Sequence, residues 1–159
     1  LDDVAAPGTA RAQPLIPGTR EARAEVRRLI DWFHGKFDRE VSRELLVEKV
    51  YQRLREGGGG APDPEILRVV RINLRYHLSY MNYLTDHRRW LAGEEFSFAD
   101  LAAAAQISSI DYLGEMLWTD YPAVKAWYQR VKSRPSFRPL LADRIPGMVP
   151  PAVYADLDF

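Results

Sequence analysis

The chain has no cysteine, only three histidines and no excess of charge of either sign. Without cysteine there is no disulfide, no thiolate metal site and no cysteine nucleophile, a usage that fits a reducing compartment. The 22 basic and 22 acidic side chains cancel, which argues against the broad electrostatic footprint that nucleic acid requires. No apolar run approaches the ~20 residues of a membrane-spanning helix, so no membrane insertion is expected. The histidines, His34, His77 and His87, form no i, i+4 pair and carry no HExxH pattern, so neither a metal site nor a cofactor is expected. Ser108 and Ser109 have no His or Asp at a recognisable spacing and no Gly-x-Ser-x-Gly elbow. No catalytic residue is assigned.

What is present is helical. The length, 159 residues of which 47% are hydrophobic, suits one domain with a substantial core. From about 21 to 56, Val26, Leu29, Ile30, Phe33, Phe37 and Val41 recur at spacings of three and four, as one buried helix face requires. Gly35 predicts a bend or break in the middle. The glycine run 57–60 and Pro62-Asp63-Pro64 read as a loop between helices. Asp63 caps a second helix with Pro64 in its first turn and Leu67, Val70, Leu74, Leu78 and Met81 as its stripe. Its pattern runs towards Gly93, a natural stop. Ser97 and Asp100 form a capping box at the head of a third helix. There Ala102 to Ala105 permit close approach of neighbours, which predicts a central position. Pro122 opens a further helix with Val124, Trp127, Tyr128 and Val131, Pro135 ends it, and a short turn follows at 137–141. No strand pattern survives, and the reading is an all-α bundle.

Three features admit a functional reading beside a structural one. Tyr76, Tyr80 and Tyr83 make an aromatic ridge that suits an apolar cleft, a subunit interface or plain helix packing. Arg68, Arg71 and Arg75 suit an anion or acidic partner, or a solvated face paired with carboxylates of the first helix. The closing stretch IPGMVPPAVYADLDF has three prolines and no basic residue, and its Leu157 and Phe159 alternate with Asp156 and Asp158. It reads as a recognition segment or as a tail packed on its own domain, and a docked tail can still present its acidic end.

WLAGEEFSFADLAAAA resembles the capping-box segment of the central helix in the C-terminal domain of glutathione S-transferases. YPAVKAWYQRVKSRPSFRPLL and PLIPGTREARAEVRRLIDWF resemble the following helix and the first long helix of that domain. The resemblance implies a helical bundle of the glutathione S-transferase C-terminal-domain type. It also implies a homodimer, with the first two long helices near the subunit interface. In that family an N-terminal thioredoxin-like domain carries the glutathione site, and the chain, which opens on Leu1, is expected to lack it. The implied organisation is 1–17 as linker and end of that missing domain, 18–143 as the helical domain, and 144–159 as a Pro-rich acidic-hydrophobic tail.

DRIPGMVPPAVYADLDF is similar to the C-terminus of glutathione-transferase-like bacterial division proteins that bind the tubulin homologue FtsZ. This second resemblance implies a non-catalytic, cytoplasmic, dimeric protein at the division site. It would bind FtsZ polymers and promote constriction, with Asp156, Leu157, Asp158 and Phe159 as the partner contact. The alternative is the C-terminal, substrate-side domain of a glutathione-dependent transferase.

Overall fold

A computed structural model describes residues 14–16, 18–55 and 59–159. Most of the expected 1–17 linker and half of the glycine run lie outside the described residues. Thr19 caps α1 (Arg20–Asp31) by accepting a hydrogen bond from Ala22 N–H. The chain then stays helical through a π-helical stretch, Trp32–Ser42, the α-turns α2 (Arg43–Leu46) and α3 (Gln52–Leu54), and a second π-helical stretch between them, Val47–Tyr51. The helix does not break at Gly35; it runs through that position in widened turns.

The reason is the spacing of the buried side chains. Leu29, Phe33, Phe37, Val41 and Leu45, all buried, repeat every four residues without exception. At 3.6 residues per turn each such step overshoots by about 40°, and four steps would carry the last side chain about 160° away from the first. Widened turns cancel that drift and keep all five on the core. Gly35, with no atom near the position a Cβ would take, is a permissive site within the stretch and not a breaker.

Asp63 caps α4 (Pro64–His87), accepting from Glu65 and Ile66 N–H. The expected stop at Gly93 is corrected: α4 ends at His87, because Arg88 is extended and its guanidinium is held by Glu25 and by the Leu91 carbonyl. Gly93 serves the loop that follows. Its φ of 152° closes a tight turn in which Trp90 and Gly93 exchange backbone hydrogen bonds. α5 (Phe98–Tyr112) follows, then α6 (Pro122–Lys132), a 3-10 turn at Arg138–Ala142, and another at Ala152–Tyr154. α5 takes the expected central place. Its fully buried Ala99, Ala103 and Ala104 let α1 and the first π-helical stretch lie close on one side, and α6 packs on another. Leu15, before α1, accepts a hydrogen bond from Phe98 N–H at the head of α5. No described helix is long and apolar enough to cross a membrane.

Candidate partner-binding surface

The capping box is complete. Asp100 is buried, and its Oδ1 accepts from Leu91 N–H at 3.0 Å and from the Trp127 indole at 2.9 Å. Its Oδ2 accepts from Ser97 N–H at 3.0 Å and from the Ser97 hydroxyl at 3.1 Å. Burial pushes the Asp100 carboxyl above its ordinary value, while these four donors pull the other way. One carboxylate thereby ties the loop after α4, the head of α5 and the middle of α6 together.

The three histidines lie in different surroundings. His34 and His87 are exposed, and among the described residues no group of His, Asp and Glu could hold an ion. His77 is buried between Trp32, whose indole donates to Nδ1 at 3.1 Å, and Glu40, which accepts from Nε2 at 3.0 Å. With Nδ1 already accepting, the ring is neutral, and burial holds its pKa below the ordinary 6.5. The unfolded chain therefore takes up a proton that the folded chain resists. Stability from this group is full above pH 6.5 and declines as the pH falls below it. Urea midpoints measured from pH 7.5 to 5 should fall less steeply in His77→Phe than in the parent.

Arg68, Arg71 and Arg75 pair with carboxylates, but not with those of the first helix. Their partners are Glu65 on the same helix, Glu115 just past α5, and Asp120 in the loop before α6. Glu115 also pairs with Lys49, and these ion pairs hold its carboxyl below the usual range against the effect of burial. The aromatic ridge divides. Tyr80 is half-buried and its hydroxyl accepts from Arg28, whereas Tyr76 and Tyr83 stand exposed. Val69, Ile72, Tyr76 and Tyr83 are 48%, 55%, 58% and 60% exposed. Their spacing puts them on one face of α4, a continuous apolar stripe beside Trp32.

The tail is docked. Tyr112 Oη accepts from Ile145 N–H and donates to the Met148 carbonyl, fixing a turn at Gly147, whose φ is 74°. Tyr154 is buried with its ring edge-on to Tyr112 at 5.1 Å. Beyond it, Phe159 lies edge-on to Trp118 at 4.8 Å, and its carbonyl accepts from Gln129 Nε2 at 3.0 Å. Leu157 is also partly buried against the core. Asp156 and Asp158 are exposed, and Asp156 Oδ1 accepts from Asp158 N–H at 2.9 Å in a local turn. The four residues expected at the contact thus separate by chemistry: two apolar side chains face the domain and two carboxylates face solvent.

Sequence reasoning missed what lies beneath. Lys132 is fully buried, donates to the Val153 carbonyl at 3.0 Å, and sits 3.9 Å from Asp111 Oδ2. Its ammonium lies 4.1 Å from the centre of the Phe159 ring. Asp111 Oδ1 accepts from the Trp118 indole at 3.1 Å, while Oδ2 has no hydrogen-bond partner. Burial raises the Asp111 carboxyl to about 6 and lowers Lys132, each against the pull of the other. The available signal was a cation four residues after Tyr128, on the buried stripe of α6.

The chain matches the sequence profile of the glutathione S-transferase C-terminal domain over residues 58–135. The fold is that domain's. The chain is closely related to FtsZ-localized protein A of Caulobacter vibrioides, 53% identical over 146 residues that cover 92% of this chain and 63% of the relative. The solved structure of FzlA from C. crescentus superposes with a TM-score of 0.89 at 52% identity, over 93% of this chain and 65% of that one. A glutathione S-transferase from Sinorhizobium meliloti superposes with a TM-score of 0.87 at 52% identity, over 91% and 64%. The chain therefore spans a little under two thirds of the length of each of these relatives.

Proposed function

We propose that this glutathione S-transferase-like domain belongs to a non-catalytic, cytoplasmic protein of bacterial cell division. It binds FtsZ polymers at the division site and promotes constriction. The observation that carries this reading is the likeness to FtsZ-localized protein A along nearly the whole chain. The docked tail supports it: Asp156 and Asp158 stand exposed on a held segment, where fixed carboxylates steer and orient a basic patch on a partner. Leu157 and Phe159 contribute by holding that segment to the domain. In co-sedimentation of the full-length protein with GTP-assembled FtsZ polymers, Asp156→Lys should weaken binding about tenfold or more, with helical content unchanged. Parent-like pelleting of this variant would remove the acidic tail from the contact.

The domain forms a homodimer through the apolar stripe of α4, which leaves Val69, Ile72, Tyr76 and Tyr83 in water otherwise. Ile72→Glu should convert the dimer to a monomer in analytical ultracentrifugation, since closing the seam would require desolvating a carboxylate from each protomer on an apolar surface. A dimer of unchanged affinity would exclude this face.

The likeness to the Sinorhizobium meliloti transferase favours a second reading, the substrate-side half of a glutathione-dependent enzyme. Retention of the full-length protein on immobilised glutathione, with turnover of a model electrophile, would select it over the first.

A further inference from the structure

We propose that Lys132 is the positioning residue of the partner-binding tail, a buried cation that locks residues 153–159 onto α6 and so fixes the direction of Asp156 and Asp158. The inference rests on the functional reading above and deepens it. A flexible acidic tail would meet a partner only after ordering, and that ordering opposes binding. Here the ordering is done in advance by three contacts on one ammonium group. Val153 O accepts from Nζ at 3.0 Å, the Phe159 ring caps it at 4.1 Å, and Asp111 Oδ2 faces it at 3.9 Å. The first two contacts bracket the acidic residues in sequence, one before Asp156 and one after Asp158. Both must break before the carboxylates can leave their positions.

The chemistry of the site requires a cation. A backbone carbonyl and the face of an aromatic ring both present negative potential, and a cation satisfies the two at once in a desolvated place. Trp118 shares in the arrangement: it packs against Phe159 and donates to Asp111, so the carboxylate and the ring stand in fixed relation to the ammonium. Gln129, one turn before Lys132 on α6, adds a hydrogen bond to the Phe159 carbonyl. Lys132 itself touches no solvent and cannot touch a partner.

The test separates positioning from folding. Lys132→Met alone strands the Asp111 carboxylate, so it is combined with Asp111→Asn, which keeps the shape and the bond from Trp118. In the full-length protein, the double variant should keep the parent's circular dichroism. Its affinity for FtsZ polymers should fall roughly tenfold or more. Amide hydrogen exchange should accelerate in residues 152–159 and stay unchanged in α4, α5 and α6. Lys132→Arg, which keeps a cation under the ring, should bind as the parent does. Phe159→Leu, which fills the volume without a ring face, should also speed exchange in the tail. It serves as the deciding variant if the double variant does not fold. Parent-like exchange in the folded variants overturns the lock, and parent-like binding with a loosened tail overturns its role in recognition. If Asp156→Lys pellets normally, the functional reading fails first, and exchange alone judges the lock.

Discussion

Asp100→Ala should lower the stability of the domain by about 4 kcal/mol, because it leaves several buried donors without an acceptor at once. The donors are the Leu91 and Ser97 backbone amides, the Trp127 indole and the Ser97 hydroxyl, all of which the one carboxylate accepts. An ordinary exposed N-cap costs about 1 kcal/mol when removed. The larger figure follows from position: this cap is buried and joins three segments. Asp100→Asn should lose about half as much, since its amide keeps one acceptor and turns an NH₂ group towards donors. The measurement is the denaturant midpoint at constant m-value. A loss for Asp100→Ala within about 1 kcal/mol would show that water or repacking replaces the carboxylate.

Lys132→Met should cost about 3–5 kcal/mol by itself, the range for breaking a buried ion pair from one side. The stranded partner is Asp111, whose Oδ2 has no hydrogen bond and depends on the ammonium 3.9 Å away. Adding Asp111→Asn should recover most of the loss, because the indole of Trp118 can still donate to the amide oxygen. The loss should also depend on pH in a defined direction. The folded Asp111 carboxyl sits near 6, above its ordinary 3.8, so folding favours its protonated form. Its contribution is therefore most favourable below pH 4 and is lost as the pH rises through about 6. Without Lys132 the carboxyl moves further up. The Lys132→Met defect should then be smaller at pH 5 than at pH 8, and equal defects at both would mean that Asp111 is not the stranded group.

These two sites differ in how far the sequence foretold them. The capping box is local: Ser97 and Asp100 are three residues apart, and their geometry follows from helix formation alone. Their spacing names the cap, but not the further bonds to Leu91 and Trp127, which come from another loop and another helix. The Lys132 site is almost wholly non-local. Asp111 on α5, Lys132 on α6, Trp118 between them and Phe159 in the tail meet only when both helices and the tail are packed. A lone lysine on an apolar stripe marks an oddity in the sequence and says nothing of what it faces.

The first helix shows the same limit from the other side. Its strict four-residue repeat was written in the chain, and so was the requirement for turns wider than 3.6 residues if all five side chains were to be buried. Reading Gly35 as a breaker gave local propensity more weight than it carries beside a long buried stripe, since packing decides most helical stability.

The sequence by itself determined the helical class, the caps at Asp63 and Ser97, the central place of the alanine-rich helix, and the acidic-apolar character of the tail. Periodicity, capping and composition act over a few residues, so a linear reading can reach them. Tertiary structure alone decided which carboxylates the arginines of α4 met, where that helix stopped, and which apolar residues it left in water. It also decided that the tail would lie on a buried lysine with its two aspartates outward. Each of these depends on what lies opposite in space, and that is set by the packing of elements distant in the chain.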